Sequence, residues 1–350
     1  MTSQDDPTRP ASRSRWMIYL PTALLLLAAA LWSVFWNVAA GRAEQAVDAW
    51  IAREATKGRV YACGSRRVEG YPFRIELICD APTMTAPGDG GPVVATAARF
   101  TGVAQIYDPR RIIGDLQGPI AFTDAAGGRA DLSFATAQAS AAAGSDNRFD
   151  RASIALAAPR LTADGVEIGA ARRVEVHMRR APASTDGVYD LAASADDVVS
   201  PFADALPVGS GPVSGELQLQ AQGVPDLRPG PTSERLRAFA EAGGKLHVAL
   251  ARLTRGDVAA EAKGDVSLDT EGRVNGDLRL TARGVDGVVS GLLGGGGRDN
   301  LLSSLLGAGA QMLGKPARLD DRPATAYRVR IDAGRIEIGP ARLGRLPPAF

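Results

Sequence analysis

The chain has 350 residues, enough for one large domain or two ordinary ones. Its 40 basic residues against 39 acidic ones leave a net charge of +1, so no global field draws it to nucleic acid. Aromatic residues make up 5% of the chain and glycine fills 40 positions, a composition that suits many short strands and turns better than a dense helical bundle.

The first predicted element is apolar. No charge occurs in residues 16–41, and at about 1.5 Å per residue the run covers the ~30 Å of a bilayer core. Trp16, Tyr19, Trp32 and Trp36 lie toward its two ends, where amphipathic rings favour the headgroup region. Residues 16–40 therefore read as a transmembrane helix. The tail 1–15, with Arg9, Arg13 and Arg15, reads as cytoplasmic and everything after Gly41 as exported. The rival reading is a cleaved signal peptide ending at Val38-Ala39-Ala40; the apolar run exceeds the usual ~7–15 residues of such a segment, which favours the uncleaved anchor.

A second helical pattern follows. Ala43, Ala46, Val47, Trp50 and Ile51 fall on one face, with Gly58 as the stop. The anchor can continue straight into this amphipathic stretch, which would then lay its stripe on the domain beyond.

The chain's two cysteines, Cys63 and Cys79, come next. Export makes a structural disulfide the expected state of such a pair, and a spacing of sixteen is not that of a redox CxxC motif. Phe73, Ile75, Leu77 and Cys79 alternate with Arg74, Glu76 and Ile78, which predicts a strand with one buried face. Closing a loop of this length adds ~3 kcal/mol on the chain-entropy model.

The order of anchor helix, then W-x-x-x-E-A-x-x-G-R-x-Y-x-C at residues 50–63, then G-Y-P-F-R-I-x-x-x-C at residues 70–79, resembles the bacterial envelope family termed domain of unknown function 2125. The closing segment RIDAGRIEIGPARLGRLPPAF resembles that family's terminal strand pair. The Gly-Tyr-Pro-Phe element is also similar to that of anchored periplasmic proteins of the AsmA-like group. The resemblance implies a mainly β, single-pass protein of the bacterial inner membrane, its bulk periplasmic, with no assigned reaction and no catalytic residues to carry over.

The rest of the chain reads as short strands cut by Gly, Pro and Asp: 93–103, Ile106-Tyr107, Ile112-Ile113, 120–122, 132–139, 153–157, 165–168 and 173–177. Asp164-Gly165 and Asp186-Gly187 are hairpin-turn signals. The expected fold is mainly β (α+β): an N-terminal transmembrane helix, then an extended, curved antiparallel sheet with a few packed helices. Its first half spans 41–180, its second half 212–350, and 181–211 is either a boundary or a long connection within one sheet. Helices are expected at 233–242 and 285–313. The second carries Val288, Val289, Leu292, Leu293, Leu301, Leu302, Leu305, Leu306 and Met312, which would pack on the sheet or line an apolar groove.

Signals for chemistry are thin. Gly309 to Pro316 matches G-x-x-x-x-G-K but puts Pro where the Mg²⁺-binding Ser or Thr belongs, so it is rejected as a phosphate loop. His177 and His247, the two histidines, offer no metal cluster. Arg172-Arg173 and Arg179-Arg180 bracket one strand and read as guards of a sheet edge. No metal and no cofactor is expected, and a hydrolase would need a nucleophile, base and electrophile that cannot be assembled here. Two function classes remain. One is a non-enzymatic, membrane-anchored protein that binds or shuttles an apolar ligand such as lipid in envelope maintenance. The other is a scaffold of an inner-membrane complex, with an envelope protein as partner and no ligand cavity.

Overall fold

The computed structural model describes residues 16–88, 90–146, 148–182, 187–204, 211–225, 232–284, 314–339 and 341–350. The tail 1–15, the expected helix 285–313 with every apolar residue named on it, and Asp186 lie outside the described residues.

The apolar stretch and the amphipathic stretch form one helix, α1 (Trp16–Ala55). Pro21 is the sixth residue of the helix, past the first turn, so its missing N–H removes one i→i−4 bond from the ladder. The helix ends in a turn at Gly58, whose φ of 76° belongs to the left-handed region that closes helices.

Strands are numbered along the chain, and their pairing is antiparallel throughout. The larger sheet runs in the order β2 (Ser65–Glu69), β3 (Arg74–Asp80), β6 (Arg99–Gln105), β7 (Asp108–Gln117), β10 (Thr136–Ala143), β11 (Phe149–Ala157), β14 (Arg173–Arg180) and β15 (Tyr189–Val198). It continues through β16 (Val213–Gln222), β17 (Lys245–Arg255), β18 (Val258–Leu268), β19 (Val274–Arg283), β21 (Arg322–Asp332), β22 (Arg335–Ile338) and β23 (Ala341–Arg345), with β20 (Lys315–Leu319) beside β21. The smaller sheet runs β1 (Val60–Ala62), β4 (Thr83–Gly88), β5 (Gly91–Thr96), β8 (Ile120–Thr123), β9 (Arg129–Ser133), β12 (Arg160–Ala163) and β13 (Val166–Ala170).

The first half of the chain thus alternates between layers. A pair of strands in the large sheet is followed by a short hairpin in the small one, three times over. Two expected strands are corrected by this alternation. The run 93–103 is β5 and β6, split where Ala97 N–H donates to Pro82 O (3.2 Å) in one layer and Ala98 N–H to Gln117 O (3.1 Å) in the other. The run 132–139 is β9 and β10, split at Phe134 and Ala135 for the same reason. Ile106-Tyr107 is the turn between β6 and β7.

The Cys63–Cys79 disulfide is present, with Cα atoms 5.4 Å apart. Cys63 lies between β1 of the small sheet and β2 of the large one, so the bond staples the point where the chain first changes layer. The large sheet continues from β15 to β16, which pair from Tyr189↔Ala221 to Val198↔Val213.

Two further helices are described: a single turn, α2 (Pro201–Asp204), and α3 (Thr232–Glu241). Gly243 (φ 67°) and Gly244 stop α3. A Cβ on Gly244 would lie 2.4 Å from the Phe239 ring, so only glycine lets the ring fold under the helix end.

The edge-guard reading of the arginine pairs is overturned. β14 is interior to the large sheet, between β11 and β15; Arg173 pairs with Glu175 of its own strand, and the other three pair with carboxylates on neighbouring segments. Arg172 Nε meets Asp197 Oδ2 at 2.6 Å, Arg179 Nε meets Asp190 Oδ2 at 3.0 Å, and Arg180 Nη1 meets Asp146 Oδ2 at 2.8 Å.

Candidate functional site: an open apolar face on the large sheet

Register and side-chain parity sort the large sheet into two unlike faces. On one face Leu77, Gly102, Gly114, Ala139, Ile154 and Val176 are successive cross-strand neighbours from β3 to β14. A parallel row on the same face runs Ile112, Ala141, Ala152, Met178, Leu191 and Leu219, reaching β16. Eight adjacent strands spaced ~4.8 Å apart make this face ~34 Å long. Its floor is small residues; its relief is branched ones.

Each end of this face has a cleft. Near α1 a space of about 430 Å³ opens between the two sheets, lined by Trp50 and Ile51 of the helix with Leu77, Phe100, Leu116 and Phe122 of the strands. At the far end α3 lies over the same face, and a space of about 600 Å³ is bounded by Leu236, Phe239, Tyr189, Leu219 and Leu246. Between them Gly114 is buried and Met178, Leu191 and Leu219 are half-buried, but Ile112 is 51% exposed, Ile154 52% and Val176 38%, with no described helix lying over them. Scattered exposed leucines need no account, but branched side chains aligned on one face between two clefts do.

The opposite face is polar. It carries Glu175, His177, Gln218 and Gln220 at the alternate register positions. His177 Nδ1 lies 2.9 Å from Ser153 Oγ and His247 Nδ1 2.8 Å from Asp265 Oδ1. Among the described residues no group of three or more His, Cys, Asp or Glu is placed to hold a metal ion.

Two ion-pair clusters lie next to the cleft-lining residues Cys79 and Ile51. At the end of β3 the Asp80 carboxylate accepts from Arg99 Nε and Arg67 Nη1, each at 2.6 Å, and from Ser65 Oγ at 3.1 Å. These bonds, Arg99's foremost, hold its pKa down at about 2. In the last turn of α1, Glu54 Oε2 lies 2.5 Å from Arg59 Nε, both residues being buried. The Arg59 hydrogen bond lowers the Glu54 pKa against the opposing pull of desolvation.

Cys63 and Cys79 both line the cleft at α1. One-faced strands, and with them an apolar sheet face, were legible in the sequence; which strands build that face among the described residues was not. Its signal is the same-parity run of small and branched residues on β7, β10, β11 and β14, legible only once the pairing order is known.

These features define a mainly β protein with one N-terminal helix long and apolar enough to cross a membrane, and a disulfide at the start of its sheets. The chain belongs to the family described as an uncharacterized protein conserved in bacteria, DUF2125, whose model matches residues 36–347. No curated protein and no solved structure matches it, so the expected likeness to the AsmA-like group gains no support.

Proposed function

We propose that this is a single-pass protein of the bacterial inner membrane, its bulk in the periplasm, that binds and shuttles an apolar ligand such as lipid along the open face of the large sheet. It acts without catalysing a reaction. The observation that carries this reading is the alignment of exposed Ile112, Ile154 and Val176 between two apolar clefts. Leaving such a face in water forfeits roughly 25 cal/mol for each Å² of apolar surface, a cost that a bound acyl chain would recover. Support for lipid over another apolar ligand comes from α1, because the first cleft lies against the helix that enters the membrane.

The test uses the full-length protein in vesicles doped with a phospholipid bearing a photoreactive acyl chain. Adducts are expected on β11 and β14 around Ile154 and Val176. Ile154→Arg, at a half-exposed position, should suppress them severalfold while leaving the thermal unfolding midpoint nearly unchanged. Adducts confined to α1 would overturn the reading and favour a scaffold without a ligand.

A further inference from the structure

We propose that the two neighbouring turns at residues 70–73 and 106–107 form a lip that sits in the headgroup layer of a phospholipid bilayer, beside the point where α1 leaves it. The proposal rests on α1 being a membrane span. It adds a second, interfacial contact and fixes the height of the sheet above the lipid.

Both turns lie at the same end of the large sheet, joined by the hydrogen bond from Ile106 N–H to Phe73 O at 3.1 Å. They dock on the outer end of the apolar run of α1. Trp32 Nε1 donates to Pro72 O at 2.9 Å and Trp36 Nε1 to Arg74 O at 3.0 Å. Ser33 Oγ donates to Ala29 O, so the Tyr71 hydroxyl is the donor in its 2.8 Å contact with Ser33 Oγ. Rings add to the contact: Trp36 meets Tyr71 edge-on with centroids 5.6 Å apart, and Trp32 lies 6.4 Å from Phe73.

Height follows from helix geometry. Trp16 and Trp36 are twenty residues apart on α1, which at ~1.5 Å per residue is ~30 Å, the thickness of the hydrocarbon core. A turn bonded to Trp32, Ser33 and Trp36 is therefore held at the outer boundary of that core. Backbone at this depth must have its polar groups satisfied. Here the carbonyls of Gly70, Pro72, Phe73 and Arg74 all accept hydrogen bonds, two of them from α1.

The outward surface has the matching chemistry. Tyr71, Phe73 and Tyr107 are 53%, 65% and 73% exposed, an aromatic cluster that water would penalise and a headgroup layer would accept. A few residues along β7, the exposed side chains of Arg110 and Arg111 make no ion pair among the described residues, within reach of lipid phosphates. The apolar face begins just above, at Ile75, Ala104 and Ile112 on the strands that bear the lip. A lip so placed brings that face directly onto the outer leaflet.

The experiment uses full-length protein in phosphatidylcholine–phosphatidylglycerol vesicles, with a polarity-sensitive fluorophore on one introduced cysteine and the native disulfide intact. Leu27→Cys reports mid-span and Tyr107→Cys the lip. Ala126→Cys reports the β8–β9 turn of the small sheet, on the side of the molecule where Pro87 lies beside Gly58, past the far end of α1. The expected result is quenching at Leu27 by deep spin-labelled lipid, at Tyr107 by headgroup-level spin-labelled lipid, and at Ala126 by aqueous iodide alone. Replacing phosphatidylglycerol with phosphatidylcholine should weaken the Tyr107 signal.

Lipid quenching at Leu27 with iodide quenching at Tyr107 would overturn the lip while leaving the span intact. Protection of Tyr107 from both quenchers would also overturn it, assigning the cluster to a protein partner. Iodide quenching at Leu27 would overturn the span and the lip with it. Phe73→Cys is the second lip position should the Tyr107 variant fail to form its disulfide.

Discussion

At the scale of single residues, Asp80 ties three strands together: its own β3, β2 through Arg67 and Ser65, and β6 through Arg99. Its carboxyl is held near pKa about 2, below the ~3.9 of an unfolded chain. The partners bind the charged form, so its contribution to stability is fully present above pH ~4 and is lost as pH falls through about 2. Asp80→Asn should therefore be less stable than the parent at neutral pH, with the gap closing between about pH 4 and 2. Urea melts of both proteins at several pH values in that window would check it. A gap independent of pH would mean that the carboxylate's charge is not what holds the corner.

The element scale is where the chain proves more regular than its sequence looks. β6, β10 and β14 begin at Arg99, Thr136 and Arg173, thirty-seven residues apart each time. Each layer change out of the large sheet falls at a proline preceded by a small residue: Ala81-Pro82, Gly118-Pro119 and Ala158-Pro159. The bonding recurs too. Ala81 N–H donates to Ala98 O (2.9 Å) and Ala97 N–H to Pro82 O (3.2 Å); Ala158 N–H donates to Arg172 O (2.8 Å) and Ala171 N–H to Pro159 O (2.9 Å).

Strand character was legible from apolar alternation, and the turn at Asp164-Gly165 from its residue types; both φ values there are positive. The repeat was not legible, because only a proline and a small neighbour recur and the intervening faces vary. Two expected strands ran through a corner for that reason: apolar alternation continues across a change of layer, whereas hydrogen-bond partners do not. The arginines around β14 misled in a similar way, since exposed charge marks an edge only where the strand lacks a neighbour.

The corner makes a prediction at this scale. Ala81 and Ala158 adopt φ of 46° and 48°, left-handed values that L-residues occupy at a cost of about 1–2 kcal/mol. Ala158 is exposed, so packing does not decide what fits there. Ala158→Gly should stabilise by a few tenths of a kcal/mol, the relief of strain being partly offset by glycine's greater unfolded-state entropy. Ala158→Val should destabilise by about 1 kcal/mol or more. Opposite signs in denaturant melts would establish conformational control of the corner; destabilisation by both would point to a contact of the alanine methyl.

At the scale of the whole molecule, α1 also covers strand edges of both sheets. β1 and β2 are the terminal strands of the two sheets, and the outer half of α1 and the turn beyond it cover both. Trp50 stacks on Tyr61 of β1 with centroids 4.6 Å apart, Asp48 Oδ1 binds Arg66 Nη2 of β2 at 2.7 Å, and the Glu54–Arg59 pair closes the corner between helix and β1. Val47, Trp50 and Ile51 also wall the first apolar cleft. Open strand edges template association, and an unwalled cleft adds apolar surface to it. A chain beginning at Arg42 keeps this plate, whereas one beginning at Arg59 loses it along with the half-buried Val47 and Ile51 and the Trp50–Tyr61 ring contact. The first should therefore sediment as a disulfide-closed monomer with a cooperative thermal transition. The second should melt earlier and associate in a concentration-dependent way. Equal stability and a monomeric state for both would reduce α1 to an anchor and leave the two sheets to close their own edges.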